Sequence, residues 1–224
     1  MKTPRRSVLV VAAHPDDEVL GAGGTIAKHA SAGDAVYVAV LTEGASIQFP
    51  GQPEKIALKK SQALKAAEIL GVREVFFGDF PDQRLDACPI IEVTSFIEAV
   101  VRKTNPSIVY THHFTELNQD HRVAYEATAI AARPFSHSSL ERLLCFSVDT
   151  LSYWGKGTAH HNVFSDISDT LEVKIRAMQV YETEVRDYPH PRSLEAIRQA
   201  AYHSGTMVGL KAAERFQLIL ELCR

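Results

Sequence analysis

Residues 7–18 read SVLVVAAHPDDE, and this stretch decides the fold. Its first part, Ser7 to Ala13, is a continuous run of small and branched apolar residues, which is typical of a strand buried on both faces of a sheet. Its second part, residues 14–18, places a histidine and three acids directly after that strand. A buried strand that ends in such a polar cluster predicts a functional site at the carboxyl edge of a parallel sheet.

Outward from this stretch, strand-like and helix-like segments alternate along the chain. Strands are predicted at 7–13, 35–41, 72–77, 107–111 and 143–148, and helices at 17–32, 53–70, 89–104, 120–132, 169–181 and 193–220. Such alternation indicates right-handed βαβ crossovers. In the common strand order 3-2-1-4-5, the carboxyl ends of the first and fourth strands are neighbours. We therefore predict an α/β fold, a Rossmann-like parallel sheet with helices on both faces.

The composition is that of an ordinary globular protein, with 46% hydrophobic and 23% charged residues in a chain of 224. Residues 1–224 are predicted to form one domain. The 24 basic and 27 acidic residues give a net charge of −3, which argues against binding to nucleic acid or to an anionic membrane. No apolar run approaches the ~20 residues of a membrane span. The three scattered cysteines are typical of reduced thiols and predict a cytoplasmic protein.

Both of the predicted neighbouring strand ends carry residue types that bind metals. The first strand is followed by His14, Asp16 and Asp17, and the fourth is followed by HHFTELNQDH at residues 112–121. Two imidazoles and one carboxylate suit Zn²⁺ or Fe²⁺ and leave a position for water. We predict that His14, Asp17 and His121 are the metal ligands. Adjacent aspartates in a turn point in different directions, so Asp16 is predicted to transfer protons.

The acids have a simpler explanation as well. Asp16, Asp17 and Glu18 at the start of a helix would each stabilise it by ~0.3–1 kcal/mol. The coincidence of two such clusters at neighbouring strand ends favours the metal site. Asp120 also has two explanations. It can be only the N-cap of the helix that carries His121, or it can be a cap that also contacts a metal ligand.

Three further features have competing explanations. Gly21, Gly23 and Gly24 look like a phosphate loop, but the pattern GxxxxGK[ST] is missing, so close helix packing is predicted instead. The lysines of the second helix are predicted to form a solvated face; they are Lys55, Lys59, Lys60 and Lys65. For the loop residues Tyr153 and Trp154, stacking on a sugar and plain packing stay open as alternatives.

The motif AHPDDE after a buried first strand, with Asp120-His121 later at a helix start, resembles the LmbE-like (PIG-L) zinc-dependent deacetylases of N-acetylglucosaminyl compounds. The resemblance runs in order from about Ser7 to His121. It extends more weakly through Arg133-Pro134 and through HPRS at residues 190–193. The AHPDDE element at the end of a first strand is specific to this family.

The resemblance implies a Rossmann-like fold in which His14, Asp17 and His121 bind Zn²⁺ and Asp16 is the general base. It also implies a hydrolase that removes the N-acetyl group from an N-acetylglucosamine-type sugar or conjugate. The implied partner is therefore a small-molecule substrate. The oligomeric state is left open. The alternatives are another metal-dependent amide hydrolase and a non-haem iron enzyme, whose facial triad uses the same ligand types.

The chain departs from the family at residues 118–121, where NQDH stands in place of the common HPDH. Asn118 cannot act as a general acid. His190, between two prolines, is therefore predicted to be the acid, with His112, His113 and a protonated Asp16 as alternatives. Asp120 completes the predicted catalytic set.

Substrate-binding residues are predicted in the loops that follow the strands and around the later prolines. Arginine can hold hydroxyl or phosphate groups with two parallel hydrogen bonds, and a surface ion pair is the alternative for each arginine. The predicted substrate-binding set is Glu43, Arg84, His113, Arg133 and Arg192.

Overall fold

The computed structural model describes residues 6–136, 139–148 and 159–223. The strands are β1 Ser7–Ala12, β2 Ala35–Thr42, β3 Glu74–Phe80, β4 Ile108–His112, β5 Arg142–Phe146, β6 Val163–Asp166 and β7 Ala213–Glu221. The helices are α1 Asp17–Ala32, α2 Pro53–Leu70, α3 Ile90–Thr104, α4 Gln119–Ala131, α5 Leu171–Gln179 and α6 Leu194–Thr206, with a 3-10 turn at Leu85–Ala87. Within these residues the strands form one sheet in the order β3-β2-β1-β4-β5-β7-β6.

The first five strands are parallel and follow the predicted order, so the Rossmann-like prediction is confirmed. Strand β1 lies at the centre, and helices cover both of its faces. Val8 and Val10 pack in one apolar cluster with α1, α2 and α5, and Leu9 and Val11 pack in a second cluster with α3 and α4. This burial on both faces explains the continuous apolar run of β1.

The predicted helix at 193–220 is wrong in its second half, and β6 was not predicted. Helix α6 ends at Thr206, and β7 joins β5 and β6 by antiparallel pairing. Between them Gly209 has a φ of 75°, which interrupts the helical course. Alanine, glutamate and leucine around β7 favour a helix locally, but the pairing of Phe216 with Phe146 of β5 overrides that weak preference.

Strand β7 is also bonded to the main chain of α1. The Glu214 carboxylate accepts hydrogen bonds from the backbone N–H groups of Gly24 at 2.9 Å and Thr25 at 2.7 Å. Lys174 of α5 forms an ion pair with Glu214 at 2.6 Å and donates to the Leu20 carbonyl at 2.8 Å. These buried charged groups are therefore paired, and they join the last strand to the first helix.

The glycines of α1 allow close approach of neighbouring side chains, as predicted. A Cβ on Gly21 would lie 2.1 Å from Cδ2 of Phe146, and a Cβ on Gly24 would lie 2.8 Å from Ile167. Both distances are far below van der Waals contact. The packing explanation of this glycine cluster is confirmed.

Gly21→Ala is expected to lower the free energy of unfolding by about 1–3 kcal/mol, because the buried Phe146 ring must move. Gly23→Ala in the same helix is the matched control. A Cβ there first meets Lys174 and Val19 at 3.2 Å, which requires a shift of only a few tenths of an ångström, and alanine favours a helix by about 1 kcal/mol over glycine. Urea unfolding measures both variants. Equal stability of the two would contradict the packing argument.

The described helices include none that combines the length and apolar character needed to cross a bilayer. Cys88, Cys145 and Cys223 are free thiols, in agreement with the prediction of reduced cysteines. Cys145 is buried in β5, whereas Cys223 is exposed.

Candidate metal centre and active site

The carboxyl ends of β1 and β4 are neighbours in the sheet, and the residues that follow them meet in one buried cluster. His14 lies just beyond β1, and Asp17 is the first residue of α1. A tight turn joins them, in which the Asp17 backbone N–H donates to the His14 carbonyl at 3.3 Å. His121 comes from the first turn of α4. The sheet topology thus brings together the three predicted ligands.

The donor atoms of these three residues form a nearly equilateral triangle. His14 Nδ1 lies 3.0 Å from Asp17 Oδ2, and His121 Nε2 lies 3.3 Å from both of these atoms. Ligands at about 2.0–2.1 Å from a tetrahedral Zn²⁺ are separated from each other by about 3.3 Å. Both the donor types and their spacing therefore fit a metal ion.

A carboxylate lies at the second ring nitrogen of each histidine. His121 Nδ1 is hydrogen bonded to Glu116 Oε2, and Glu116 Oε1 accepts from the Val148 backbone N–H at 2.6 Å. His14 Nε2 lies 3.1 Å from Asp120 Oδ2. Such carboxylates fix the orientation and tautomer of metal-binding histidines. Sequence analysis did not assign a role to Glu116, although its position five residues before His121 made it a candidate.

Asn118, rather than Asp120, caps helix α4. The Asn118 Oδ1 accepts from the Asp120 backbone N–H at 2.8 Å, while the Asp120 carboxylate faces His14. Asn118 Nδ2 donates to Gln83 Oε1 at 3.2 Å, and Gln83 Nε2 lies 2.9 Å from His14 Nε2. Asn118 therefore caps α4 and bonds to Gln83, whose side-chain amide lies beside His14.

Asp16 lies beside the cluster with an unusual backbone. Its φ is 113°, a region that residues other than glycine rarely adopt. Its Oδ2 is buried and has no hydrogen-bond partner in the described part of the chain. The Arg192 Nη1 lies 3.5 Å from this oxygen. No described hydrogen bond or ion pair joins the Asp16 carboxylate to the ligand triangle, and its role in proton transfer stays a prediction.

The surroundings move the pKa values of the two adjacent aspartates in opposite directions. Burial raises the pKa of Asp16 to about 7, although the Arg192 guanidinium opposes this change. Burial would raise the pKa of Asp17 too, but His121 and His112 outweigh it and hold that pKa well below its usual range. A raised pKa suits a proton-transfer group, and a lowered pKa suits a metal ligand.

A cleft of ≈ 230 Å³ opens onto the cluster. A larger cavity of ≈ 350 Å³, between α1, α6 and β7, includes no residue of the ligand triangle, so the smaller cleft is the candidate substrate site. Its lining is His14, Pro15, Asp16, Gly44, Ile47, Gln48, Lys59, Asp82, Gln83, Asn118, His121, Glu184 and Arg192.

Lys59 corrects the prediction of a solvated lysine face. It is 3% exposed and forms an ion pair with Glu184, which pairs in turn with Arg192. These three charged residues make one wall of the cleft. Lys59 and Glu184 are 125 positions apart in the sequence, so no local pattern marked either residue.

Two predicted substrate residues hold loops together instead of lining the cleft. The Glu43 carboxylate accepts from the backbone N–H groups of Ala45, Ser46 and Asp82 at 2.9, 3.1 and 3.2 Å. The His113 ring lies between Thr115 Oγ1 at 2.8 Å and Gln217 Oε1 at 2.6 Å. These contacts anchor the segments after β2 and β4, and the substrate-binding roles of Glu43 and His113 stay predictions.

Three other predicted residues also lie outside the cleft lining. Arg84 is exposed, and Arg133 contacts Glu98 at 3.3 Å on α3. His190 is exposed, and its Nδ1 accepts from the Arg192 backbone N–H at 3.0 Å. Arg192 is thus the member of the predicted substrate set that the structure brings to the cleft. Tyr153 and Trp154 lie outside the described residues.

Known proteins with a similar sequence include both deacetylases and a hydratase. Diacetylchitobiose deacetylase of Thermococcus kodakarensis is 32% identical over 231 residues, which cover 96% of this chain and 83% of the relative. 4-Oxalmesaconate hydratase of Pseudomonas putida is 36% identical over 146 residues, but these cover only 58% of this chain and 55% of the relative.

The comparisons with solved structures and with family models agree with the comparison of sequences. The solved structure of N,N'-diacetylchitobiose deacetylase from Pyrococcus horikoshii has a TM-score of 0.77 and 24% identity, and the match covers 96% of this chain and 84% of that one. Residues 9–132, more than half of the chain, match the family PIG-L, described as GlcNAc-PI de-N-acetylase. This chain therefore belongs to the PIG-L (LmbE-like) family.

Proposed function

We propose that this protein is a metal-dependent N-deacetylase that hydrolyses the acetamido group of an N-acetylglucosamine-type sugar or conjugate. The observation that carries the proposal is the division between two adjacent aspartates. Asp17 faces two histidines in a triangle of metal-binding atoms, while the Asp16 carboxylate lies outside that triangle, lines the cleft and faces Arg192. The similarity to a diacetylchitobiose deacetylase over 96% of the chain supports the substrate class.

The proposed metal is Zn²⁺, held by His14, Asp17 and His121. Such an ion, when bound, polarises a carbonyl oxygen and lowers the pKa of a bound water to about 7. Asp120 and Glu116 keep the two imidazole rings oriented toward it. Fe²⁺ accepts the same donor types, so metal analysis of the purified protein decides the identity.

Asp16 performs the proton transfers in this proposal. Asp16 lines the cleft, and its Oδ2 has no hydrogen-bond partner in the described residues, so the carboxylate can take a proton from the attacking water. The protonated carboxyl then gives that proton to the leaving amine, so the products are acetate and the free amine. The exposed position of His190 supports this assignment of both transfers to Asp16.

Arg192 has two tasks beside Asp16. Its positive charge, with Nη1 3.5 Å from Asp16 Oδ2, favours the ionised carboxylate, the form that can accept a proton from the attacking water. Its guanidinium also lines the cleft, where its N–H groups can donate to sugar hydroxyls.

The proposed function is tested by measuring the acetate that the zinc-loaded protein releases from N-acetylated sugars. The substrates are N-acetylglucosamine, diacetylchitobiose and N-acetylglucosaminyl malate, and we expect turnover of at least one. The same preparation is given 4-oxalmesaconate as the comparison substrate, because a hydratase is among the relatives. Water addition to 4-oxalmesaconate without acetate release from any sugar would contradict the proposal.

A further inference from the structure

A short turn after helix α5 is connected to Asp16 by two separate sets of contacts. In this 181–184 turn the Glu184 backbone N–H donates to the Tyr181 carbonyl at 2.8 Å. Both side chains are buried, and Tyr181 is among the largest fully buried side chains of the described residues. The turn lies more than 160 positions from Asp16 in sequence, so only the fold brings them together.

The first set of contacts reaches the main chain of Asp16. The Tyr181 hydroxyl donates to Glu18 Oε1 at 2.6 Å, and Glu18 Oε2 accepts from the Asp16 backbone N–H at 3.1 Å. The Asp16 φ of 113° is a strained conformation of the kind that costs about 1–3 kcal/mol and persists only where surrounding contacts enforce it. The Glu18 carboxylate, held by Tyr181, supplies such a contact.

The second set reaches the carboxylate of Asp16. Glu184 forms ion pairs with both Lys59 and Arg192. Arg192 in turn places its Nη1 at 3.5 Å from Asp16 Oδ2. Glu184 thus holds the guanidinium that faces the otherwise unbonded oxygen.

We propose that the 181–184 turn positions Asp16, with Tyr181 acting on its main chain through Glu18 and Glu184 acting on its carboxylate through Arg192. This inference rests on the proposed function, because it takes Asp16 as the group that transfers protons. In the described part of the chain, the side chains of Tyr181 and Glu184 bond to residues other than the metal-ligand candidates. They are therefore positioning residues.

Tyr181→Phe is the main test, because it removes one hydroxyl and keeps the ring. We expect kcat to fall by about 10- to 100-fold, the usual effect of a catalytic group displaced by about 1 Å, while KM and metal content stay unchanged. Tyr110→Phe is the matched control. It removes another buried hydroxyl, whose partner is His29 Nε2 at 3.1 Å, and kcat should stay within about twofold because this pair is remote from the cleft.

A double variant shows whether the effect passes through Asp16. In an Asp16→Asn background, Tyr181→Phe should cause no further fall in kcat, since the group that it positions is already disabled. An additional 10-fold loss in that background would overturn the proposal. Arg192→Lys tests the second set of contacts and keeps a positive charge beside Glu184. Its effect on kcat should disappear in the Asp16→Asn background, whereas KM, which reports the contact of Arg192 with the sugar, should rise in both backgrounds.

A crystal structure of the Tyr181→Phe variant tests this inference independently of the proposed function. Movement of the Glu18 carboxylate away from the Asp16 amide, with a change of the Asp16 φ, would support it even if no sugar is deacetylated. An unchanged Asp16 in that structure would overturn it. Absence of acetate release by the wild-type protein bears on the proposed function alone.

Discussion

Asp16→Asn is expected to lower kcat by roughly 10²- to 10⁴-fold while the metal content stays at the wild-type level. The amide has nearly the same shape as the carboxylate but cannot accept the proton of the attacking water. It also leaves the ligand triangle intact, because the Asp16 carboxylate makes no contact with it among the described hydrogen bonds and ion pairs. Acetate release at saturating substrate and elemental analysis measure the two quantities.

Asp79→Asn is the control for this substitution. Asp79 is exposed and forms an ion pair with Lys60 at 2.6 Å at the end of β3, outside the cleft. Its replacement should leave kcat within about twofold, as is usual for exposed ion pairs. Loss of the metal in Asp16→Asn, together with retention of the metal in Asp17→Ala, would mean that Asp16 and Asp17 have exchanged roles.

Removal of any one metal-ligand candidate is expected to abolish both metal binding and acetate release. His14→Ala, Asp17→Ala and His121→Ala each remove one corner of the donor triangle. Because the loss of a residue that only orients a ligand already lowers metal affinity by about 10- to 100-fold, loss of the ligand itself should exceed that range. Titration with Zn²⁺ measures the affinity, and circular dichroism confirms that the fold is retained.

His29→Ala provides the matched histidine control. His29 is half-buried, and its Nδ1 is hydrogen bonded to Asp34 Oδ2 at 2.7 Å, outside the donor triangle. This variant should bind metal like the wild type. Full metal occupancy in all three ligand variants would show that the triangle is not the metal site.

Sequence analysis was most accurate where local signals and the fold agree. Helix α2 has the predicted bounds because Pro53 suits a first helical turn and Gly71, with a φ of 77°, suits a helix end. The order of the five parallel strands followed from their alternation with helices. Strand β7 was missed because its antiparallel partner β5 lies about 70 positions away and its residues alone favour a helix.

The candidate site shows the same division between features with a local sequence signal and features that depend on distant residues. The ligand triangle could be predicted, because short motifs at two strand ends carry it and the topology makes those ends neighbours. The Lys59–Glu184–Arg192 wall could not be predicted, because two residues that pair across the fold show no periodic pattern in the sequence around either of them. The catalytic role of His190 and the substrate-binding roles of Arg84 and Arg133 stay predictions. Because these residues lie outside the cleft lining, Asp16 and Arg192 are the residues to test first.

The bonds between Glu214 and the backbone of α1 have a consequence for synthesis of the protein. They join residues 189 and 190 positions apart, so a growing chain on the ribosome cannot form them until β7 has emerged. Such distant pairings close large loops and are slow to form. The helix that begins with Asp17 therefore gains these two hydrogen bonds only after Glu214 has been synthesised. All three metal-ligand candidates precede β7 in the chain, so they leave the ribosome before the strand that holds α1, the helix that carries Asp17, in its final position.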